Sequence, residues 1–282
     1  MYQTTGRQRI TGALLLAGVL LTLVGLWGSL RGRQPALEST PGESSVLELA
    51  GLTEIDLDTA FCNIEIVAQG NRSYLTASGF EPNTLTHSVK NGRLAVRQKS
   101  PKKLITSRLR GFMRGEGLPL QSGVLVITIA EGTRLQDLEI DLGAGNLSLA
   151  GLTAEEAAVE IGAGELIVEN SAFKEVSLES GAGSIHLKNT TATEKIVAQN
   201  GTGNILLEAS TAGNLTLSTG AGNITASLKG RQEDYSIQAS CGLGQARIGQ
   251  NHHGKEVTLK NPGAAFSLKA ECGAGNIDID FS

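Results

Sequence analysis

The sequence GAGNLSL at residues 143–149 decides the fold, because close variants of it recur along the chain. The first glycines of the copies lie at positions 143, 162, 181, 201, 220, 242 and 273, so the last interval is the longest. Self-similarity at a nearly constant short period is the signature of a repeat architecture. The later copies are GAGELIV at 162–168, GAGSIHL at 181–187, GTGNILL at 201–207, GAGNITA at 220–226, GLGQARI at 242–248 and GAGNIDI at 273–279.

Apolar residues occupy fixed positions in each copy, counted from its first glycine as position 0. Positions −5, −3 and +1 are apolar or small, as at Leu138, Ile140 and Ala144, and this period of two indicates a strand with one buried face. Positions +4 and +6, such as Leu147 and Leu149, have the opposite parity. The parity change predicts a corner at +2 and +3 and a second strand that faces the same core. The residue at +1 is predicted to point inward.

Glycine at positions 0 and +2 explains the first corner, because glycine allows positive φ and close approach of two backbones. A second corner is predicted near +8 to +12, where Asn, Ser and Thr cluster and a small or apolar residue recurs at +11. The predicted turn glycines are Gly143, Gly145, Gly162, Gly164, Gly181, Gly183, Gly201, Gly203, Gly220, Gly222, Gly242, Gly244, Gly273 and Gly275.

The repeat predicts an all-β fold, and two architectures fit it. In a single-stranded parallel β-solenoid (β-helix), each copy is one coil of about 19–20 residues, and coils stack as parallel strands about 4.8 Å apart. In an antiparallel β-sandwich of hairpins, each GxG is a turn. Constant apolar columns favour the solenoid, because stacked coils bring each column onto itself.

The composition agrees with a narrow aliphatic core. The 282-residue chain contains 36 glycines and only 4% aromatic residues. Its net charge of −4 is too small to indicate a nucleic-acid partner. Three cysteines are too few for a disulfide framework.

The N-terminal residues predict a single-pass membrane anchor. Residues 1–9 are a short polar tail, and residues 10–30 carry no charge and are long enough to span a bilayer as a helix. A cleaved signal peptide is the alternative, but Arg31 and Arg33 follow the apolar run directly and no A-x-A site follows it. Residues 31–45 read as a polar linker.

The orientation of the anchor is argued from charge and composition. Arg7 and Arg9 favour a cytoplasmic N-terminus, whereas Arg31 and Arg33 on the far side oppose it. A β-rich domain with many Gly, Asn and Thr residues behind an N-terminal anchor favours an extracytoplasmic location. We therefore expect a cell-membrane protein with its C-terminal domain outside the cytoplasm.

Residues 46–130 are predicted to be an irregular β entrance or cap, and residues 131–282 the Gly-rich solenoid. Aligning Ala60 with position 0 places apolar residues at −5, −3, +4 and +6, so residues 55–66 are predicted to form a degenerate coil. Terminal repeats are often atypical because they cap the stack. The Asn-Gly pair at 91–92 predicts a hairpin.

A basic segment over residues 99–116 stands out in an otherwise acidic chain. It is either a solvated surface loop or a contact for anionic lipid headgroups or an anionic wall polymer. Its cations are Lys99, Lys102, Lys103, Arg108, Arg110 and Arg114.

The sequence predicts no catalytic residue, no cofactor and no metal site. The GxG units lack the third glycine and following helix of a dinucleotide fingerprint, and apolar residues occupy the Asp position of a calcium-binding nonapeptide. His252 and His253 lack a nearby ligand partner. Asp278 and Asp280 could imitate a glycosidase pair, but outward carboxylates that alternate along a strand usually serve solubility.

Cys241 and Cys272 both occupy position −1 of their copies. If those copies form adjacent coils, the two Cα atoms lie about 5 Å apart, within disulfide range. The enlarged connection over 246–266 could instead separate them, and two buried free thiols are the favoured alternative.

The chain resembles the bacterial "putative adhesin" domain, a family of unknown function. The resemblance covers residues 46–282 and rests on the G-[AST]-G-[ND]-[IL]-x-[IL] copies, the irregular strand-rich entrance and the terminal GAGNIDIDF. It implies a β-solenoid, often tethered to the membrane and linked to the cell envelope. The long interval from Gly242 to Gly273 departs from the pattern and leaves the stacking of the last coil open.

Three functions compete. The favoured one is a membrane-anchored, extracytoplasmic, non-catalytic adhesin-like module that binds an anionic envelope polymer, lipid headgroups or a protein partner, with a role in the envelope stress response as a further expectation. The second is an envelope scaffold that associates with itself through exposed strand edges. The third, less favoured, is a polysaccharide-active enzyme.

Overall fold

A computed structural model describes residues 45–80, 84–98 and 123–282. The predicted anchor over 10–30 and the predicted basic segment over 99–116 lie outside these residues. Residues 42–282 form one compact unit. Within the described ranges, no helix is long and apolar enough to cross a membrane.

The described residues form strands and one short 3₁₀ helix, Gln232–Asp234, so the all-β prediction is confirmed. The entrance strands are β1 (Ser45–Glu48), β2 (Glu54–Ala68), β3 (Tyr74–Ser78), β4 (Leu85–Lys90), β5 (Arg93–Gln98) and β6 (Gly123–Ile129). The next strands are β7 (Arg134–Ala144), β8 (Leu147–Ala150), β9 (Thr153–Ala163), β10 (Leu166–Glu169), β11 (Ala172–Ala182), β12 (Ile185–Lys188), β13 (Thr191–Thr202) and β14 (Ile205–Ala221). The last are β15 (Ile224–Leu228), β16 (Tyr235–Leu243), β17 (Ala246–Ile248), β18 (His252–Gly254), β19 (Glu256–Leu259), β20 (Phe266–Ala274) and β21 (Ile277–Phe281).

Each regular coil contributes one strand to each of two parallel ladders. Sheet I contains the strands that precede each GxG, in the order β4-β5-β2-β7-β9-β11-β13-β14-β20-β16-β19. Sheet II contains the strands that follow it, in the order β1-β3-β6-β2-β8-β10-β12-β14-β15-β21-β17-β18. The long strands β2 and β14 belong to both sheets. Equivalent positions pair in register, as Leu166 pairs with Ile185, which is the pairing of a solenoid and not of a hairpin sandwich.

The core consists of the predicted aliphatic columns, with one correction. Leu138 and Ile140, at −5 and −3, and Leu147 and Leu149, at +4 and +6, are fully buried. The predicted inward position +1 is wrong, because Ala144 and its equivalents are half-buried or exposed. The inward column of the first strand ends instead at −1, and the chain bends after it. The residues at −1 are Thr59, Leu142, Ile161, Ser180, Asn200, Thr219, Cys241 and Cys272, all buried.

The two glycines of each GxG meet the neighbouring coil in different ways. A Cβ on Gly162, at position 0, would lie 2.4 Å from the carbonyl oxygen of Gly143, although its φ is ordinary. A Cβ on Gly164, at position +2, would lie 1.7 Å from the carbonyl oxygen of Gly145, and its φ is +144°. Position 0 thus requires glycine for close approach, whereas position +2 requires it for both reasons.

Asparagine at position +3 joins neighbouring coils along the corner. Its side-chain oxygen accepts a hydrogen bond from the backbone N–H at +3 of the next coil, as Asn204 does from Asn223 at 2.9 Å. The same bond runs from Asn146 to Asn63 and from Asn276 to Asn223. These bonds satisfy corner N–H groups that the two sheets leave free.

The last coil in sequence is not the last coil in space. Strand β20 lies between β14 and β16, and β21 lies between β15 and β17. The corner backbone agrees, since Gly222 N donates to Ala274 O and Gly275 N donates to Leu243 O. The coil of Gly273 is therefore inserted between the coils of Gly220 and Gly242. The connection that leads from the coil of Gly242 to the coil of Gly273 forms β18 and β19, which pair antiparallel with β17 and β16 at the far end of the stack.

The opposite end contains a further coil, which has no GxG sequence to mark it. Strand β2 pairs with β7 and β8 in the register given by aligning Ala60 with Gly143. On its other side, β2 pairs in parallel with β5 in sheet I and with β6 in sheet II. Strands β5 and β6 thus form a split coil, joined by residues 99–122. Strand β4 pairs with β5 through the predicted Asn-Gly turn.

Candidate functional site

The basic segment interrupts the row of corners at the split coil. Asp58 of β2 pairs with Arg97, and Cys62 pairs with Gly123. Between these pairs β2 has residues 59–61, whereas the split coil has residues 98–122. All six predicted contact cations, Lys99, Lys102, Lys103, Arg108, Arg110 and Arg114, therefore belong to an insertion that replaces a GxG corner.

The split coil, which lacks a GxG corner, explains why the coil next to it also lacks glycine at positions 0 and +2. In other coils, a Cβ at position 0 or +2 would strike the corner carbonyl of the preceding coil. The coil with Ala60 and Cys62 at these positions stacks directly on the split coil, which comes later in sequence and has no GxG. The side-chain oxygen of Gln98 accepts hydrogen bonds from the N–H groups of Ala60 at 2.9 Å and Phe61 at 3.0 Å. A glutamine side chain thus replaces the missing backbone partner.

The chain enters the solenoid at the same end. Strand β1, the first described strand after the linker, forms the edge of sheet II beyond β3 and β6. The split coil that carries the basic insertion consists of β5 and β6. Strand β1 and the split coil therefore both lie at the β4–β1 end of the stack.

The outer face of sheet I is acidic over its first four regular coils. Residues at positions −6, −4 and −2 point away from the core, and their equivalents lie side by side in register. Like charges directly opposite each other on neighbouring strands are destabilising. The carboxylates are Glu54, Asp137, Glu156 and Glu175 at −6, Asp56 and Glu139 at −4, and Asp58, Asp141, Glu160 and Glu179 at −2.

Among the described residues, arginines form ion pairs with this acidic face only at its edge on β5. Both oxygens of Asp56 accept hydrogen bonds from Arg97, at 2.6 and 2.5 Å, and Arg93 donates to the same carboxylate at 2.5 Å. The hydrogen bonds from Arg97 are the main cause of a lowered pKa of Asp56, and Arg93 adds to it. This carboxylate is thus held in its ionised form.

Farther along the face the carboxylates repel one another. Partial burial raises the pKa of Asp137, and the neighbouring Glu139, Glu156 and Glu54 raise it further. Partial burial also raises the pKa of Asp141, with Glu160 and Asp58 as the main charged neighbours. The middle of the face therefore favours a cationic neighbour or a bound proton.

The carboxylates considered as a glycosidase pair have a common cation. The guanidinium group of Arg247 contacts Asp278 and lies 2.9 Å from Asp280. Both carboxylates raise the pKa of Arg247. Arg247, Asp278 and Asp280 thus form one ion-pair cluster at the surface.

Three of the four histidines lie on strands β12 and β18. His252 and His253 lie on β18, which pairs with β17. His186 lies on β12, with its Nε2 atom 3.6 Å from a carboxylate oxygen of Glu208. In the part of the chain that the structure describes, no three His, Cys, Asp or Glu side chains are placed to hold a metal ion.

Short antiparallel strands cover both ends of the parallel stack. Strands β1 and β4 are the outer strands at one end, and β18 and β19 are the outer strands at the other. The outer strands β1, β18 and β19 have only four, three and four residues. Short edge strands reduce end-to-end pairing, which disfavours an open self-associating scaffold.

The family model described as Toastrack DUF4097 matches residues 52–280. Solved structures of similar fold include a "putative cell adhesion protein" from Clostridium sporogenes, with 16% identity, a TM-score of 0.39 and coverage of 85% of this chain and 98% of the other. A "putative lipid binding protein" from Parabacteroides distasonis has 13% identity, a TM-score of 0.44 and coverage of 85% and 94%. A "putative adhesin" from Parabacteroides merdae has 11% identity, a TM-score of 0.45 and coverage of 85% and 95%. No curated protein matches the sequence.

Proposed function

The chain belongs to the Toastrack DUF4097 family, and from that premise we propose that it is a membrane-anchored, extracytoplasmic binding module of the cell envelope. In this proposal it is not an enzyme, and its basic insertion contacts an anionic envelope polymer or lipid headgroups. A role in the envelope stress response is part of the same proposal. In the same proposal, the acidic face of sheet I contacts a different partner, which is cationic.

One observation carries the proposal: β1, the first described strand, and β5 and β6, the strands on either side of the basic insertion in sequence, lie at the same end of the solenoid. With residues 10–30 in a membrane, the polar linker leads directly to this end. The six cations of the insertion then lie close to the membrane surface. Each basic residue there contributes about 1 kcal/mol to the binding of anionic lipid. The acidic face of sheet I, which anionic surfaces repel, lies on the side wall of the stack.

Binding of residues 42–282 to two anionic materials tests the proposal. The compact unit is cosedimented with vesicles of anionic phosphatidylglycerol, with neutral phosphatidylcholine vesicles and with a purified anionic wall polymer, across a salt series. We expect binding to one anionic material that weakens with salt. Changing the six insertion cations to Gln should weaken that binding at least about 100-fold.

A matched variant separates the insertion from net charge. It changes six exposed cations elsewhere to Gln, so that the total charge is the same in both variants, and it should bind nearly as well as the unchanged unit. An equal loss of binding in both variants would mean that net charge alone determines the binding. If the unchanged unit binds neither anionic material, the proposed contact is wrong. The control residues are Lys188, Lys195, Arg231, Lys255, Lys260 and Lys269.

The proposed location has its own test. A reporter active only outside the cytoplasm, fused after Ser282 of the full chain, is expected to be active. A second fusion with a reporter active only inside the cytoplasm should be silent. The reverse pattern would place the solenoid in the cytoplasm and exclude contact with an extracellular wall polymer.

A further inference from the structure

Two of the three cysteines are neighbours at the C-terminal end of the stack. Cys241 of β16 and Cys272 of β20 are paired residues of two parallel strands. In sequence order, the coils of Gly220 and Gly242 would be neighbours, and Thr219 would stand beside Cys241. The inserted coil instead places Cys272 between them, since Cys272 also pairs with Thr219.

The geometry of this pair fits a covalent link. Paired residues of neighbouring strands have Cα atoms separated by about 4.8 Å, within the 4.4–6.8 Å range of disulfides. Both side chains belong to the inward column at −1, with residues 6% and 4% exposed. The two thiols are in hydrogen-bond contact, and the Sγ atom of Cys272 lies 3.2 Å from the carbonyl oxygen of Gly222.

We propose that Cys241 and Cys272 form a disulfide under oxidising conditions and that this bond fastens the inserted coil to the outermost one. The third cysteine, Cys62, lies at the opposite end of the stack and takes no part. The proposal is independent of the proposed binding function. It fits an extracytoplasmic location, where disulfides persist.

The reaction is thiol–disulfide exchange with a small-molecule disulfide such as oxidised glutathione. One protein thiolate attacks a glutathione sulfur, forms a mixed disulfide and releases one glutathione thiolate. The second protein thiolate attacks the protein sulfur of the mixed disulfide and releases the other. Two protein thiols and one oxidised glutathione thus become one protein disulfide and two reduced glutathiones, which take up the two protons.

Burial has a kinetic consequence for this reaction. It raises the pKa of both thiols, and the adjacent Cys241 raises that of Cys272 further. Little thiolate is therefore present at neutral pH, and exchange requires thiolate. Oxidation should be slow at pH 7 and faster at pH 9.

The test uses the full chain in mild detergent, incubated with oxidised glutathione, unfolded with an alkylating agent present and digested with trypsin. Cleavage after Arg231, Arg247 and Lys269 places the two cysteines on peptides 232–247 and 270–282. We expect these peptides to be linked, to separate on reduction, and Cys62 to be the one alkylated cysteine. The oxidised chain should unfold about 5–10 °C above the reduced chain.

Two variants complete the experiment. Cys62→Ser should retain the link and the shift in unfolding temperature, whereas Cys241→Ala should show neither. If the oxidised wild-type chain still takes up three alkyl groups, or if the link involves Cys62, the proposal is wrong. Because the peptide map is made on the wild-type chain, it decides the question even if a variant fails to fold.

Discussion

In the middle of the solenoid, the coils of Gly162, Gly181, Gly201 and Gly220 each stack on the coil that precedes them in sequence, whereas at both ends the order in space differs from the order in sequence. The middle coils pair position by position through two corner glycines and four apolar columns. At the start, a coil is split around the basic insertion. At the C-terminal end, the coil of Gly273, which is the last in sequence, lies between the coils of Gly220 and Gly242.

The comparison shows that identical columns specify stacking but not order. Any two copies present the same apolar, glycine and polar positions to a neighbour, so exchange of two copies leaves most contacts unchanged. Order is therefore decided by the connections. The short, nearly constant interval between middle copies, as from Gly143 to Gly162, leaves no length for an exchange. The longer stretch from Gly242 to Gly273 leaves enough for a hairpin and an insertion.

The largest effect should come from a corner glycine in the middle. Gly164→Ala places a Cβ 1.7 Å from the carbonyl oxygen of Gly145 at a φ of +144°, so two coils must separate. We expect a loss of about 4 kcal/mol or more in the free energy of unfolding, or failure to fold. Denaturant unfolding monitored by circular dichroism measures it.

The matched control is a glycine of the terminal connection. Gly263 has a φ of +91°, and a Cβ there would meet no atom within 4 Å. Gly263→Ala should reduce stability by only about 1–2 kcal/mol, from backbone strain alone. Equal losses at the two sites would contradict a tightly stacked corner in the middle.

The next effect concerns the core columns. Leu178, at −3 of a middle coil, is fully buried, and Leu178→Ala should reduce the free energy of unfolding by about 3 kcal/mol. Leu259, on the terminal strand β19, is only partly buried, and its change to Ala should reduce stability by about 1 kcal/mol. A larger loss at Leu259 would mean that the terminal hairpin, and not the columns, limits stability.

A smaller effect tests the asparagine hydrogen bond at position +3 between the coil of Gly220 and the inserted coil of Gly273. Asn223→Ala removes the acceptor for the N–H of Asn276, which lies 2.9 Å away in the inserted coil. We expect a loss of about 1 kcal/mol and faster hydrogen exchange at Asn276. Asn146→Ala in the middle is the comparison and should expose the N–H of Glu165 instead. Unchanged exchange at Asn276 would argue against the inserted coil.

The pH dependence of stability should differ between the two parts of the acidic face. Because the pKa of Asp141 is raised in the folded state, folding is weakened as pH rises through that pKa. Asp141→Asn should therefore stabilise the chain by about 0.5 kcal/mol at pH 7 and by nothing well below 3.8, the usual pKa of Asp. Thermal unfolding from pH 3 to pH 7 measures this difference.

Asp56 should behave in the opposite way. Its pKa is lowered by Arg97 and Arg93, so its stabilising contribution is present above the unfolded pKa and is lost as pH falls through the folded pKa. Asp56→Asn should destabilise at pH 7 by about 1–3 kcal/mol. The same sign of change for both variants would contradict the assigned electrostatics.

The middle of the fold could be predicted from sequence because every coil repeats the same constraint. Ile55 and Leu57 could be aligned with Leu138 and Ile140 although their coil lacks glycine. Alanine at position +1 resembles a core residue and so predicts an inward position, but the bend turns it outward. Its small size reflects the crowded corner. A periodic pattern of small residues does not distinguish these two reasons.

The ends could not be predicted for a different reason. Leu94 and Val96 occupy −5 and −3 of the split coil, and Leu125 and Ile127 occupy +4 and +6, but the long insertion hides the spacing that would align them. The inserted order of the last coil depends on contacts between distant residues. The two cysteines at −1 do not reveal it, because Cys241 and Cys272 would be neighbours in either order.

The position of the last coil is tested most directly by cross-linking from Thr219, in a chain that also carries Cys62→Ser. Thr219→Cys with Cys241→Ala retains Cys272, which is one strand away. Thr219→Cys with Cys272→Ala retains Cys241, which is two strands away, about 10 Å. On mild oxidation, we predict a disulfide in the first variant and none in the second. A disulfide only in the second would show that the coils stack in sequence order.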